Sequence, residues 1–271
     1  MDRYVVIGNP VAHSLSPRIH AVFAAQLGES LEYSTLDAPR EDFASTARAF
    51  FDGGGRGANV TLPFKIDALR FASRASDRAR LAGAANFLAS RSGAIEADNT
   101  DGAGLVADLA KNLRTAISGR RVLILGAGGA ARGVIAPLLA QRPERLVIAN
   151  RSAAKARELA ANFASLGTVE AAPLDAIPDG DFDIVVNATS TSVQGVALRL
   201  PRHVMAARGL AYDMAYGEPA RAFLEHARSG GMRAADGLGM LVEQAAESFE
   251  LWRGRRPDTA PVLAQLRSGL A

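Results

Sequence analysis

The sequence predicts a two-domain α/β protein, and three observations carry that prediction. Short β-type runs alternate with helical stretches along the whole chain, the pattern of parallel strands joined by crossover helices. One run, Val122-Leu123-Ile124-Leu125, is apolar at every position, as expected of a strand covered on both faces. A glycine-rich turn follows it at Gly126, in mid-chain. The residues before that turn cannot belong to the unit it opens, so they form an α/β domain of their own.

Taken in order, strands are expected over residues 4–7, 32–35, 58–61, 121–125, 145–148, 183–186 and 210–212. Helical patterns fall over 17–27, 44–51, 104–113, 130–139, 153–166 and 219–228. The first strand is the apolar run that ends at Gly8, and Pro17 opens the first helix, where its missing N–H costs nothing. Pro63 begins a further helix after the third strand, and Ser152 stands at an N-cap position after the fifth.

Composition narrows the function. The 271 residues are 48% hydrophobic and 22% charged, an ordinary globular balance. With 31 basic and 28 acidic residues the net charge is +3, and no Lys/Arg-rich run appears, so no nucleic-acid partner is expected. Nor is a membrane partner, because nowhere do 18 apolar residues run without a charge. The N-terminus lacks a signal-peptide core. There is no cysteine, which excludes disulfides, thiolate metal sites and a cysteine nucleophile and fits a cytoplasmic location. No His/Asp/Glu cluster has metal-ligand spacing. Twenty-eight of the basic residues are arginine; the lysines are Lys65, Lys111 and Lys155.

The turn Gly126-Ala127-Gly128-Gly129-Ala130-Ala131 lies between the all-apolar strand and a helix. Glycines at its first and third places allow a tight turn and close approach to a pyrophosphate, and the helix N-terminus supplies N–H donors. This is a Rossmann signature, although an ordinary βα turn would also use such residues. The next strand leads into Asn150-Arg151-Ser152, with Lys155 one turn on. A site selective for NAD usually carries Asp or Glu there to grip the ribose. Two cations and no acid favour the 2′-phosphate of NADP.

Three further clusters are polar. Asn59, Thr61 and Lys65 lie where a strand end turns into a helix, the edge at which open α/β sheets bind ligands. Arginine stays protonated, whereas a lysine can give up a proton, so general acid–base work explains a lysine here; a solvated first-turn lysine is the plainer alternative. Asp98-Asn99-Thr100-Asp101-Gly102 places two carboxylates before a helix. Either Asp101 or Thr100 serves as a routine N-cap, or Asp101 faces Lys65 and orients its ammonium. Ser14 and Ser16, just before Pro17, offer hydroxyls and helix N–H groups to a carboxylate.

These segments, in this order, resemble the shikimate dehydrogenase family. The matches are Gly8-Asn9-Pro10 with His13-Ser14-Leu15-Ser16-Pro17, Asn59-Val60-Thr61-Leu62-Pro63-Phe64-Lys65, Gly83-Ala84-Ala85-Asn86 and the Asp98–Gly102 segment. They continue through the Gly126 turn, Asn150-Arg151-Ser152, Asn187-Ala188-Thr189-Ser190, Tyr212-Asp213-Met214 with Tyr216, and Asp236-Gly237-Leu238-Gly239-Met240-Leu241-Val242. The resemblance implies an N-terminal substrate domain over residues 1–101, completed by C-terminal helices over 238–271, and an NADP-binding Rossmann domain over 102–237. It implies reversible NADPH-dependent reduction of 3-dehydroshikimate to shikimate, within aromatic amino-acid biosynthesis, by a monomer or homodimer. Lys65 and Asp101 would be the catalytic pair. Ser14, Ser16 and Tyr216 would hold the carboxylate, and Asn59, Thr61, Asn86 and Gln244 the ring hydroxyls. The cofactor would lie on Gly126, Ala127, Gly128, Gly129, Ala130, Asn150, Arg151, Ser152, Lys155, Thr189, Met214 and Gly237, and the family also places an acid at Asp77.

One residue departs from the pattern. Phe87 follows Asn86 where family members usually carry Thr. Either the phenyl ring reshapes the pocket floor or it points into the domain core, as strand alternation allows. A paralogue acting on quinate or another polyhydroxy cyclohexane acid, with NADP or NAD, therefore stays open. So does a non-enzymatic NADP-sensing module, which would need the glycines but not Lys65 and Asp101.

Overall fold

A computed structural model describes residues 1–196 and 198–270. The chain divides into two compact units: Met1–Gly104 with the segment from Leu241 on, and Leu105–Met240.

The first unit begins with β1 (Asp2–Gly8), α1 (Ser16–Leu27), β2 (Leu31–Asp37), α2 (Phe43–Asp52), β3 (Gly57–Val60) and α3 (Lys65–Phe71). It continues with β4 (Arg74–Ala75), α4 (Asp77–Ala82), β5 (Phe87–Arg91), β6 (Ala94–Asp98) and α5 (Asp101–Ala107). Its six-stranded sheet runs β2-β1-β3-β5-β6-β4. β1 pairs in parallel with β2 and β3, but β5 lies antiparallel to both β3 and β6. The sequence expectation lacked this hairpin, whose turn is Ser92-Gly93 with both residues at positive φ. That pair, between two short strands, is a type I′ signal. Phe64 and Leu88 are fully buried in this unit's core beside Ile7, Ala58 and Val60. Local chemistry sets the helix ends: Gly28 closes α1 at φ 67°, and Ser76 Oγ accepts the Ala79 N–H at the start of α4.

α5 begins at Asp101 rather than at residue 104 and widens into a π-helical turn over Asp108–Asn112. Then come β7 (Arg121–Leu125), α6 (Gly129–Ala140), β8 (Arg145–Asn150), α7 (Ala153–Asn162), β9 (Val169–Pro173), β10 (Phe182–Asn187), β11 (Met205–Asp213), α8 (Arg221–Ser229) and β12 (Arg233–Asp236). The second sheet runs β12-β11-β10-β7-β8-β9, and every pair is parallel. Val122, Leu123, Ile124 and Leu125 are all fully buried, and alternate residues serve the hydrophobic clusters on the two sheet faces. α7 ends at Asn162, short of residue 166, because Phe163 turns into the core. β11 starts well before residue 210; Arg208 at positive φ and a register shift against β10 hid its first half. α9 (Leu238–Arg253) and α10 (Ala260–Leu270) end the chain. No helix among the described residues is long and apolar enough to cross a membrane.

Candidate active site

In the first unit the polar clusters meet around one ion pair. Phe64, fully buried, anchors the turn before α3, so Lys65 leaves the helix start with its ammonium 2.5 Å from Asp101 Oδ2. The two side chains are 14% and 6% exposed, so water screens the pair weakly. Asn86 Nδ2 donates to Asp101 Oδ1 at 2.9 Å, to Thr100 Oγ1 at 2.9 Å and to Gln244 Oε1 at 3.2 Å. Its Oδ1 accepts the Thr100 N–H at 2.7 Å. Asp101 is thus held through both oxygens, one by the lysine and one by an amide.

The two carboxylates of the Asp98–Gly102 segment separate cleanly. Asp98 accepts from Arg78 Nε and Ser76 Oγ, each at 2.5 Å, and Arg78 also bonds Glu247 at 2.9 Å. Burial pushes the Asp98 carboxyl up, but Arg78 and Ser76 outweigh it and hold it below the usual range. Asp98 is a structural anchor for β6 and α9; Asp101 faces the lysine.

Asn59, on the fully buried β3, accepts the Tyr33 phenol at 2.7 Å. Its amide donates to Asn86 O at 3.2 Å and to Ser248 Oγ at 2.9 Å, so both its protons are spent inside the protein. Ser248 lies one turn beyond Gln244 on α9 and also contacts Thr100 Oγ1 at 3.2 Å. Ser14 accepts the Ser16 N–H at 3.2 Å. The loop after β1 is tied to the loop after β3: the Asn9 N–H meets Leu62 O at 3.0 Å. A Cβ at Gly8 would lie 2.5 Å from the methyl of Thr61, so glycine there lets the serine loop and Thr61 come together. Phe87 is buried and stacks on Trp252, ring centres 5.1 Å apart.

The second unit builds its site from backbone. Gly126 sits at φ 108°, and a Cβ there would stand 3.0 Å from Ala188 O, which explains the residue. A Cβ at Gly237 would be 2.3 Å from Met214 O. Gly128, the N-cap of α6, has no side-chain cap, and a Cβ on it would meet nothing within 4 Å. That open space before uncapped amides fits a pyrophosphate. Beyond β8, Asn150 bonds Ser152 O, and Ser152 Oγ accepts the Lys155 N–H. Arg151 and Lys155 are exposed; among the described residues neither enters a salt bridge. Both are therefore available to a phosphate.

Asp213, fully buried, accepts from Ser192 at 2.6 Å, from Asn187 at 2.9 Å and from the Ala215 N–H at 2.9 Å. Burial raises its carboxyl above the ordinary value, with those hydrogen bonds opposing. Asn187 Oδ1 in turn holds the Thr189 hydroxyl at 2.7 Å. One buried carboxylate thus shapes the loops that carry Thr189, Met214 and Tyr216. Among the described residues no group of three or more His, Asp or Glu side chains is arranged to hold a metal.

Comparison with known proteins places this architecture. Residues 6–88 match the shikimate dehydrogenase substrate binding domain, 108–213 the shikimate / quinate 5-dehydrogenase domain, and 237–267 the shikimate 5′-dehydrogenase C-terminal domain. The chain is 54% identical over 270 residues to "Shikimate dehydrogenase (NADP(+))" of Nitrosospira multiformis, covering 99% of this chain and 98% of that protein. The chain belongs to the shikimate dehydrogenase family. Among solved structures, an Ael1 enzyme from Pseudomonas putida superposes with TM-score 0.90 at 47% identity, covering 98% of each chain. The Thermus thermophilus shikimate 5-dehydrogenase, in complex with NADP(H) and shikimate, gives TM-score 0.87 at 33% identity over 100% of both chains.

Within this member of the family, Lys65, Asp101, Asn86, Asn59 and Gln244 form one bonded cluster in the first unit. Tyr216, and the nucleotide-side residues other than Asp77, belong to the second unit. Asp77 lies in the first unit, exposed, and pairs with Arg80 at 2.6 Å. Thr100, read in the sequence only as an alternative N-cap, and Ser248 and Tyr33, unmarked in the sequence, join the cluster. Ser248 was readable from the i, i+4 spacing to Gln244; Tyr33, on a half-buried strand, left no signal.

Proposed function

We propose that the protein is an NADP-dependent shikimate dehydrogenase that interconverts 3-dehydroshikimate and shikimate. The observation that carries this reading is the Lys65–Asp101 pair at 2.5 Å, with Asn86 on the second carboxylate oxygen. NADP(H) supplies or takes the hydride when bound. In the reductive direction the ketone carbon gains that hydride, and the Lys65 Nζ proton passes to the ketone oxygen, so no alkoxide charge builds up. Asp101 aims the ammonium and stays an acceptor, because its other oxygen already receives a hydrogen bond. Ser14 and Ser16 bind the substrate carboxylate. Thr61, Asn86 and Gln244 face the ring hydroxyls, while Asn59 acts from behind as a strut. Buried polar groups of this kind penalise an acid that leaves one unpaired by about 1–3 kcal/mol.

The exposed, unpaired Arg151 and Lys155 support NADP over NAD. Phe87, buried against Trp252, supports an unaltered pocket floor and so shikimate over quinate. All the residues named come from one chain, so a monomer or a homodimer suffices, and a cytoplasmic location suits a cysteine-free enzyme of this chemistry. The test is a panel of kcat/KM values for shikimate, quinate and related acids with NADP and NAD. Shikimate with NADP is expected to lead; preference for quinate or NAD would overturn that specificity, and tight NADP binding without turnover of any acid would favour the sensing module.

A further inference from the structure

Asn99 lies between β6 and α5, close to Asp101 in sequence, and the chemistry proposed above gives it no part. Its side chain is buried and makes two hydrogen bonds to different parts of the backbone. Oδ1 accepts the Asp101 N–H at 3.1 Å, and Nδ2 donates to the Ala84 carbonyl at 2.9 Å. The first bond alone would be an ordinary turn that opens a helix. The second reaches back to the loop between α4 and β5, and a turn has no use for it. That loop already holds the lysine: the Ala85 N–H donates to the Lys65 carbonyl at 2.7 Å. It also holds the aspartate side chain, through Asn86 Nδ2 on Asp101 Oδ1 at 2.9 Å. Ala84 and Ala85 are fully buried, so water does not readily replace a lost partner there. Asn99 is itself fixed, because its N–H donates to Asp98 Oδ1 at 2.7 Å and Arg78 holds that carboxylate.

We infer that Asn99 is a positioning residue for the proton transfer: by clamping the Asp101 backbone to Ala84, it hangs both members of the Lys65–Asp101 pair on the single segment Ala84-Ala85-Asn86. The inference rests on the shikimate dehydrogenase reading given above. Lys65 is tied to that segment through its carbonyl, and Asp101 through its amide and its carboxylate. Without the Asn99 amide, the Asp101 N–H and the Ala84 carbonyl both lose this partner, and the start of α5 is free to shift against α3. The ammonium then loses its aim. The segment itself keeps its bond to Lys65 and, from the Val60 N–H to Asn86 O at 2.8 Å, its bond to β3. Asn86 therefore stays in place for the substrate ring.

The experiment compares wild type, Asn99→Ala, Asn99→Ser, Lys65→Ala and the double variant Lys65→Ala with Asn99→Ala, each well below its Tm. It reads kcat, KM for shikimate and NADP, and the solvent deuterium isotope effect on kcat. In Asn99→Ala, kcat should fall about 10- to 100-fold while both KM values stay within about threefold. The solvent isotope effect should rise, since proton transfer becomes the slow step. The hydroxyl of Asn99→Ser can still accept the Asp101 N–H but is too short to reach Ala84, so its kcat should lie between wild type and Asn99→Ala. In the Lys65→Ala background the further loss should shrink to within about twofold, because no ammonium is left to aim. A kcat within about twofold of wild type in Asn99→Ala, a rise in KM at unchanged kcat, or an equal loss with and without the lysine would each overturn the assignment while leaving the shikimate reading intact. Failure of both Asn99 single variants to fold would also overturn it, by assigning the residue to stability alone. A wild-type protein that does not oxidise shikimate with NADP would instead overturn the shikimate reading.

Discussion

The two units solve ligand binding by opposite means. In the first, side chains hold one another: Lys65, Asp101, Asn86, Thr100, Gln244, Asn59 and Ser248 form a continuous hydrogen-bonded cluster, most of it shielded from water. In the second, the phosphate side is the uncapped start of α6 and exposed cation: Gly128 carries no side-chain cap, and among the described residues Arg151 and Lys155 enter no salt bridge. A cluster whose members fix each other gives orientation, which proton transfer needs. Open amides and free cations give charge complementarity, which tolerates motion but responds to salt.

The largest expected effect tests the first half of that contrast. Lys65→Ala should lower kcat by about 10²–10⁴-fold with NADP binding nearly unchanged, read from steady-state kinetics and nucleotide titration. Turnover within a few-fold of wild type would remove the lysine from the proton transfer.

A second effect concerns the aromatic support behind the cluster, where His20 stacks on Tyr33. Burial pushes His20 down from 6.5 to about 3, with the nearby Asn59 side chain opposing the shift. The folded state therefore keeps the imidazole neutral between those values while the unfolded chain binds a proton. Stability from this residue is unaffected above pH 6.5 and falls by about 1.4 kcal/mol per pH unit below it, until pH nears 3. Urea unfolding of wild type and His20→Phe at pH 7 and pH 4.5 should show a much shallower loss in the variant. Parallel losses would mean that His20 is not the acid-sensitive group.

The smallest effect lies on the nucleotide side. Arg151→Ala should raise KM for NADP about tenfold and leave KM for NAD within about twofold, and the NADP difference should shrink as ionic strength rises. Equal changes for both nucleotides would place Arg151 elsewhere than at the 2′-phosphate.

The same contrast governs what the sequence could disclose. Backbone sites advertise themselves, because only glycine fits Gly126 at φ 108°, and the all-apolar β7 before it is equally plain. Lys65 stood out through its place beside Asn59 and Thr61 at a strand end, with the scarcity of lysine as added weight, and Asp101 through its motif. The antiparallel β5–β6 hairpin was missed, since strands of five residues around Ser92-Gly93 carry little periodicity. The π-helical turn over Asp108–Asn112 was missed too; its first residue, Asp108, accepts the hydroxyl of Tyr212, far off in sequence, at 2.7 Å. Tyr33 escaped notice because its partner Asn59 lies 26 positions on, on another strand of the sheet, and Ser248 had only its spacing to Gln244 to mark it.

The thinness of lysine has a practical consequence. In the first unit Lys65 carries the sole ε-amino group, and Lys111 and Lys155 belong to the second. Lys111 and Lys155 are exposed, whereas Lys65 is enclosed and held by Asp101. Isotope-labelled lysine therefore gives three side-chain NMR resonances, one of them the group at the centre of the chemistry. A lysine-directed reagent meets two open targets and one guarded one, so the molecule comes with a spectroscopic reporter already installed at its working atom.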